Sequence, residues 1–208
     1  MKRQRLLYPL WLRLWHWVNA LLFLTLITTG LSLHFGSQII PFAFARQVHN
    51  VSGLMLAGNW VFHVLGSIRS GNWHHYVPQW RGLAGRLITQ AKFYQSGIFR
   101  GEPHPFPPTT RRKFNPLQQV TYLIVIYVAM PLLILNGLAF MMPEFAIDVF
   151  SYGAVWLVAG LHYVLALLLF VFMLGHIYLA TAGETVTADF RTMIGGWATV
   201  EEDGDERA

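Results

Sequence analysis

Two pairs of histidines occur at the same spacing in the apolar part of the sequence. His162 and His176 are fourteen residues apart, and so are His49 and His63. At about 100° and 1.5 Å per residue, fourteen residues of α-helix make nearly four full turns and rise about 21 Å. The members of each pair therefore lie on one face of a helix at two depths. Because imidazole in a hydrocarbon layer is costly and tends to be functional, the spacing predicts two layers of ligands or proton carriers.

His16 lies near the start of another apolar run, and His34 follows eighteen residues later, five full turns on. His34 stands at the end of that run, so we interpret it as an interfacial residue in contact with water. His74, His75 and His104 lie in a polar stretch, and we expect them at the surface or among lipid headgroups. Of these five histidines, only His16 joins the candidate ligands.

Facing imidazoles on two helices have the geometry that a b-type haem requires, because such a haem takes only axial ligands from the protein. Two histidine ligands leave the iron no open position, which favours electron transfer over oxygen chemistry. The sequence contains no cysteine, so this chain offers no disulfide, thiolate metal site or cysteine-ligated cluster. A histidine-lined metal path and a proton relay are the rival uses. Asp and Glu are absent between Trp11 and Gly101, which disfavours a divalent-cation transporter.

The elements that must position these histidines are membrane helices. Of the 208 residues, 54% are hydrophobic and 12% are charged, compared with about 25% charged in an average soluble domain. Four apolar runs reach the length of about 20 residues that spans a bilayer. They cover residues 11–35, 47–68, 116–141 and 149–181. We therefore expect an all-α membrane protein, a four-transmembrane-helix bundle that forms a single membrane domain over residues 1–208.

Basic residues predict the orientation of this bundle. The formal net charge is +5, and most basic residues lie before the first run or in the loop of residues 69–115, whereas the other two loops hold only Arg46. Positively charged loops stay in the cytoplasm, so both termini, the loop and the tail of residues 183–208 are expected there. The positive charge is thus a topology signal, and we expect no nucleic acid partner.

Chain direction then assigns a depth to each candidate ligand. His16, His63 and His176 lie near the cytoplasmic ends of their helices, whereas His49 and His162 lie in the outer half of the membrane. The residues alone leave open which of the cytoplasmic-level histidines oppose each other.

Other residues predict the shape of the helices. Pro131 lies inside the third run, where its ring predicts a kink. Gly53, Gly58 and Gly66 leave space on the second helix. That space serves either close helix packing or a flat macrocycle, and the sequence favours neither.

The connecting segments carry weaker signals. Residues 81–99 predict an amphipathic helix on the membrane surface, and residues 102–108 cannot be helical because of their prolines. The acidic residues after Trp197 predict a solvated, poorly ordered end.

Several segments together resemble one family of membrane cytochromes. They are LRLWHWVNALLFLTLITTG in the first run, RQVHNVSGLMLAGNWVFH with SGNWHHYVP in the second, KFNPLQQVTYL before the third, and the histidine pair of the fourth. The chain resembles the cytochrome b subunits that anchor molybdenum-containing thiosulfate reductases, and more distantly those of formate dehydrogenase and nickel–iron hydrogenase. The resemblance extends to about Ile194.

That resemblance implies a cytochrome with two b haems in the bacterial inner membrane. It would carry electrons between a quinone pool and a partner made of an iron–sulfur subunit and a molybdopterin catalytic subunit. The resemblance implies His16 and His176 as ligands of the inner haem iron, and His49 and His162 as ligands of the outer haem iron. His63 is the rival of His16, or else a hydrogen-bonding or proton-transfer group beside the inner haem.

The NPLQ segment matches the place where cytochromes of the formate dehydrogenase type bind menaquinone. Asn115 and Gln118 are therefore candidates for binding menaquinone or ubiquinone, since their amides donate to carbonyl oxygens. Asn115 equally suits the N-cap of the third helix, because Pro116 then takes the first helical position.

Haem propionates are carboxylates, so basic residues near each haem edge are candidate partners. Arg46 is the candidate on the outer side, and Arg13 and Lys113 are weaker candidates inside. Membrane lipid is the remaining expected partner. The alternative functions are a stand-alone dihaem cytochrome b that exchanges electrons with quinone, and a transporter of a metal or of free haem.

Overall fold

The structure is a computed structural model that describes residues 2–36, 39–181, 183 and 185–201. Most of the chain is helical, and a 3₁₀ turn follows the second helix at Asn72–Tyr76. The elements in chain order are β1 (Lys2–Leu6), α1 (Leu10–Phe35), α2 (Phe42–Ser70), α3 (Leu83–Lys92), α4 (Pro116–Ile124), α5 (Met130–Met141), α6 (Pro143–Ala180), α7 (Ala188–Gly195) and β2 (Trp197–Glu201).

Four helical segments of the described chain are long and apolar enough to cross a membrane. They are Leu10–Phe35, Phe42–Ser70, Pro116–Met141 and Val155–Ala180. The predicted all-α, four-span membrane fold is confirmed. The bounds of the third span are as predicted, whereas α2 begins at Phe42 and α6 at Pro143, both before the predicted runs. Hydropathy marks only the part of a helix that crosses lipid, whereas the helix itself continues as far as its backbone bonds do.

The third span is interrupted where Pro131 predicts a kink. A π-helical turn covers Val125–Ala129 between α4 and α5. Proline lacks the N–H that would bond the preceding turn, and a π turn is one way to rearrange the bonds there. The indole Nε1 of Trp60 donates to the carbonyl oxygen of Ile126 at 2.7 Å. A side chain of α2 thus supplies a donor to the interrupted turn.

The chain divides into two compact units. The first unit comprises Met1–Arg13, Gly66–Ile124 and Ile177–Ala208, so far as these are described. The second comprises Leu14–Leu65 and Val125–His176.

The core of the second unit takes one buried side chain from each membrane span. These are Leu22, Leu56, Met130 and Leu169. Leu56 and Leu169 each lie midway between the two histidines of their helix. An apolar layer therefore separates the two histidine levels along the helices.

The first unit contains a two-stranded antiparallel sheet. Lys2 pairs with Glu201 at one end, and Leu6 pairs with Trp197 at the other. The expectation of a poorly ordered acidic end is therefore wrong for Glu201, which belongs to β2. No local pattern reveals this pairing, because it joins residues almost 200 positions apart. The acidic residues after Glu201 lie outside the described residues.

The loop between the second and third spans folds against the start of the third span. Of residues 81–99, where a helix is predicted, α3 covers Leu83–Lys92, and a π turn at Phe93–Gly97 and a 3₁₀ turn at Ile98–Arg100 follow it. Both α3 and the turn at Asn72–Tyr76 contact α4. Residues 102–108 are not helical, as their prolines predict.

Candidate functional site

Two histidine rings face each other between α2 and α6. His49 and His162 have ring centroids 6.4 Å apart, with planes at 65°. Both side chains are half-buried, and the ring of Phe140 meets His162 edge-on at 5.8 Å.

Thr29 of α1 fixes the tautomer of His49. The hydroxyl oxygen of Thr29 lies 3.0 Å from Nδ1 of His49 and 2.7 Å from the carbonyl oxygen of Thr25. A carbonyl only accepts, so the hydroxyl donates to Thr25 and accepts from the Nδ1–H of His49. Nε2 of His49 then carries its lone pair, which is the form of imidazole that binds a metal.

Glycines lie against both rings of this pair. A Cβ on Gly30 would lie 3.3 Å from Cε1 of His49, and a Cβ on Gly137 would lie 3.4 Å from Cε1 of His162. Because Gly30 and Gly137 have no side chain, the imidazoles of His49 and His162 lie close to the backbones of α1 and α5.

A second facing pair joins α1 to α6. His16 and His176 have ring centroids 6.1 Å apart, with planes at 56°. Both are half-buried, and Phe172 stacks on His176 with centroids 5.8 Å apart. His176 therefore belongs to the same helix as His162 but faces a histidine from a different neighbour.

Both pairs fit bis-histidine ligation of one iron each. Imidazole nitrogen binds a first-row transition metal at about 2 Å and lies about 1 Å from its ring centre, so two imidazoles on one iron have centroids about 6 Å apart. The observed distances of 6.4 Å and 6.1 Å match this value. The donor set of neutral imidazoles fits a b-type haem.

His63, the rival ligand, lies in a different environment. Its side chain is fully buried and stacks on Trp15, with ring centroids 3.8 Å apart and planes at 27°. The ring of Tyr127 also lies nearby, with ring centroids 6.4 Å apart. The stacking places an indole beside His63, whereas His16 faces a second imidazole at 6.1 Å, which is the arrangement that two ligands of one iron require.

The remaining histidines lie outside both pairs. His34 is exposed and stacks on Tyr163 at 4.4 Å, and His74 is exposed and stacks on Trp73 at 3.6 Å. His104 lies 4.8 Å from the ring of Phe93. In the part of the chain that the structure describes, no three His, Asp or Glu side chains converge as a metal site.

Asn115 and Gln118 form a reciprocal cap at the start of α4. The backbone N–H of Asn115 donates to Oε1 of Gln118 at 3.1 Å, and the backbone N–H of Gln118 donates to Oδ1 of Asn115 at 3.0 Å. This is a capping box, in which each side chain satisfies the other's backbone donor. The amide nitrogen of Asn115 also donates to the hydroxyl of Tyr94 at 2.8 Å. The capping alternative for Asn115 is therefore realised, and the amide nitrogen of Gln118 is the donor left for a ligand.

The basic candidates have separate surroundings. Arg46 is exposed on α2, and Arg13 donates to the carbonyl oxygen of Ile194. Lys113 donates to Oδ1 of Asn72 at 2.9 Å, and burial lowers the pKa of Lys113 to about 8. Burial and the nearby Lys113 charge lower the pKa of His75 to about 4, so His75 is neutral at physiological pH.

The three glycines of α2, which suit either close helix packing or a flat macrocycle, have different surroundings in the structure. A Cβ on Gly66 would lie 2.9 Å from the ring of Trp11, so Gly66 permits close packing. Gly53 and Gly58 have nothing within 4 Å of a Cβ, so both face open space.

Four site residues escaped the sequence reasoning: Thr29, Gly30, Tyr94 and Gly137. For the first two, the signal was a TTG triplet inside an apolar helix.

Four membrane spans that hold two facing histidine pairs define the class of membrane-embedded b-type cytochromes. The chain belongs to the prokaryotic cytochrome b561 family, whose model matches residues 7–196. It is 43% identical over 194 residues to the protein named "Putative cytochrome YdhU" from Escherichia coli (strain K12). The matched region makes up 92% of this chain and 73% of that protein. No solved structure matches the chain. The protein is thus a multi-pass membrane cytochrome that binds b-type haem and works in electron transfer.

Proposed function

We propose that this cytochrome holds two b haems and carries electrons across the bacterial inner membrane, between a redox partner outside and a quinone near the cytoplasmic face. The observation that carries the proposal is the pair of facing imidazole sets, His49 with His162 and His16 with His176, at 6.4 Å and 6.1 Å. In this proposal both termini lie in the cytoplasm. The first pair then holds the outer haem and the second the inner haem.

Each residue of these sets has a definite task. The four histidines would supply all axial ligands, and a bound haem would supply one-electron redox chemistry at each level. Thr29 holds His49 with Nε2 deprotonated. The apolar layer of Leu56 and Leu169 keeps water from the space between the levels, which lie about 21 Å apart along α6.

The proposed quinone site lies at the NPLQ segment, which precedes the third span. Asn115 is 5% exposed and Gln118 is half-buried, so a ligand there would be shielded from water. The amide nitrogen of Gln118 would donate to a quinone carbonyl, while Asn115 holds the helix start and the hydroxyl of Tyr94. Arg46 would bind a propionate of the outer haem.

Haem content tests the ligand sets. Haem extracted from the purified protein into alkaline pyridine and counted per chain should give two b haems. His162→Ala and His176→Ala should each retain one, because each removes a ligand from a different set. His34→Ala, which removes an exposed histidine, should retain two. One haem in the unaltered protein, or two in His176→Ala, would exclude this arrangement.

The proposed partners are an iron–sulfur subunit and a molybdopterin subunit, as the resemblance to thiosulfate reductase anchors implies. Affinity purification of the tagged chain from native membranes in mild detergent tests this. Extrinsic subunits that carry iron–sulfur clusters and molybdenum should co-purify with it. A lone chain with two haems that oxidises quinol at full rate would instead favour a stand-alone cytochrome.

A further inference from the structure

An open groove of about 620 Å³ lies in the first unit, between the N-terminal segment and the residues before α4. Its lining includes two cations, Arg5 and Lys113, and no carboxylate. The other lining residues include Leu6, Pro9, Thr110 and Trp197. The groove therefore combines positive charge with an apolar wall.

The groove lies where two spans enter the membrane. Pro9 immediately precedes the first residue of α1, and Lys113 lies three residues before the first residue of α4. The groove therefore lies at the depth of the lipid headgroups, on whichever face of the membrane these helix starts are. Both spans begin here, and the positive ends of helix dipoles favour an anion.

Within the described residues, Lys113 is a cation that forms no ion pair with a carboxylate. Its ammonium donates to the neutral Oδ1 of Asn72 at 2.9 Å and lies 5.8 Å from the ring centre of Tyr8. No carboxylate of the described chain forms an ion pair with it, and burial alone lowers the pKa of Lys113 to about 8. A half-buried charge in this state gains by accepting an anion.

The apolar wall is exposed although it stands next to these charges. Leu6 is 53% exposed and Trp197 is 55% exposed, and the two are cross-strand partners at the end of the sheet nearest α1. Exposed tryptophan at the headgroup level is typical of membrane contact. A free phosphate ion would make no use of this pair, whereas the glycerol and first acyl carbons of a lipid would cover it.

We propose that the groove binds one anionic phospholipid, with its phosphate on Lys113 and Arg5 and its glycerol backbone on Leu6 and Trp197. The occupancy of this site does not depend on the number of haems or on a quinone. The lipid would join the N-terminal strand to the start of the third span.

Native mass spectrometry of the detergent-purified holoprotein tests the site, with phosphatidylglycerol or phosphatidylcholine added in mixed micelles. One phosphatidylglycerol should bind more tightly than the rest, and phosphatidylcholine should not replace it. Lys113→Gln keeps a donor for Asn72 but loses the charge, and it should weaken phosphatidylglycerol binding about fivefold, the usual effect of one basic residue near a membrane surface. The matched control Lys92→Gln removes an exposed charge at the end of α3 and should bind as the unaltered protein does.

Equal binding by Lys113→Gln and Lys92→Gln would overturn the proposal. So would displacement of the lipid by inorganic phosphate, which would indicate a soluble anion. A changed haem spectrum in Lys113→Gln with unchanged lipid binding would place Lys113 on a haem carboxylate instead. Deletion of residues 202–208, which are largely acidic, should leave lipid binding unchanged. A marked gain would show that this segment is the occupant.

Discussion

The hydroxyl of Thr29 accepts the Nδ1–H of His49, which is the proposed ligand of the outer haem. Thr29→Val keeps the shape of the side chain but removes this acceptor. We expect the outer haem to be held about 10–100-fold less tightly, as for other partners of metal-bound histidine. Its midpoint potential should rise, since the imidazole becomes a weaker donor to the oxidised iron. A redox titration followed by haem absorbance measures the potential, and haem loss on dilution measures the affinity.

The matched control is the neighbouring threonine. Thr28 is exposed, and its hydroxyl donates to the carbonyl oxygen of Leu24 at 2.8 Å, so Thr28→Val should leave the proposed haems unchanged. If the two variants shift the outer potential equally, the effect comes from the α1 helix and not from His49.

The stacking of His63 on Trp15 makes a different prediction. His63→Phe keeps a flat ring against the indole, so the protein should retain two haems. His16→Phe removes one of the facing imidazoles and should leave only the outer haem. Haem counted per chain in the two variants decides between the histidines. Loss of one haem in His63→Phe would make His63 the ligand and His16 the bystander.

At the scale of elements, the start of α4 combines two tasks that one substitution can separate. Gln118 accepts the backbone N–H of Asn115 through Oε1, and in the proposed site its amide nitrogen would donate to a quinone. Gln118→Glu keeps the acceptor and places a negative charge at a helix start, where it is favourable. We expect thermal stability to be kept and quinol oxidation to fall at least tenfold.

Gln118→Ala removes the acceptor as well. It should lose quinol oxidation and also about 1 kcal/mol of stability, the usual value of a helix cap. Thermal unfolding and steady-state quinol oxidation measure the two effects separately. Full quinol oxidation in Gln118→Glu would mean that Gln118 only caps the helix.

The elements show which kinds of pattern a sequence can reveal. The four spans and the break near Pro131 follow from hydropathy and from the chemistry of single residues. The sequence predicts a cap at Asn115 but does not separate it from a ligand role, because an amide side chain suits either. The pairing of β1 with β2 was missed, since its partners are distant in the chain and neither strand has a strong apolar alternation.

The sequence also indicates some residues of the candidate site and not others. Helical periodicity placed His49, His162, His16 and His176 on two levels before any contact was known. The sequence alone does not distinguish His16 from His63, because both lie at the same predicted depth, and their different ring neighbours are visible only in the structure. Thr29 and Gly137 act across helix contacts, which no spacing within one helix reveals.

At the scale of the molecule, α6 carries one histidine of each facing pair, and α1 and α2 supply the opposing ones. The His162 and His176 levels are about 21 Å apart along this helix, and buried Leu169 lies between them. Electrons from outside should therefore reach the inner level only through the outer one. A variant without the outer haem should have an inner haem that the outside cannot reduce.

His162→Ala tests this in sealed vesicles with the outer face exposed to a membrane-impermeant reductant. The remaining haem should stay oxidised while the vesicles are sealed, because no carrier bridges the membrane. It should become reduced once detergent opens them, and quinol should reduce it in either case. His34→Ala, which leaves both pairs intact, should be reduced from outside as the unaltered protein is. Rapid reduction of sealed His162→Ala vesicles would mean that the retained haem lies near the outer face, and the assignment of the two levels would then be reversed.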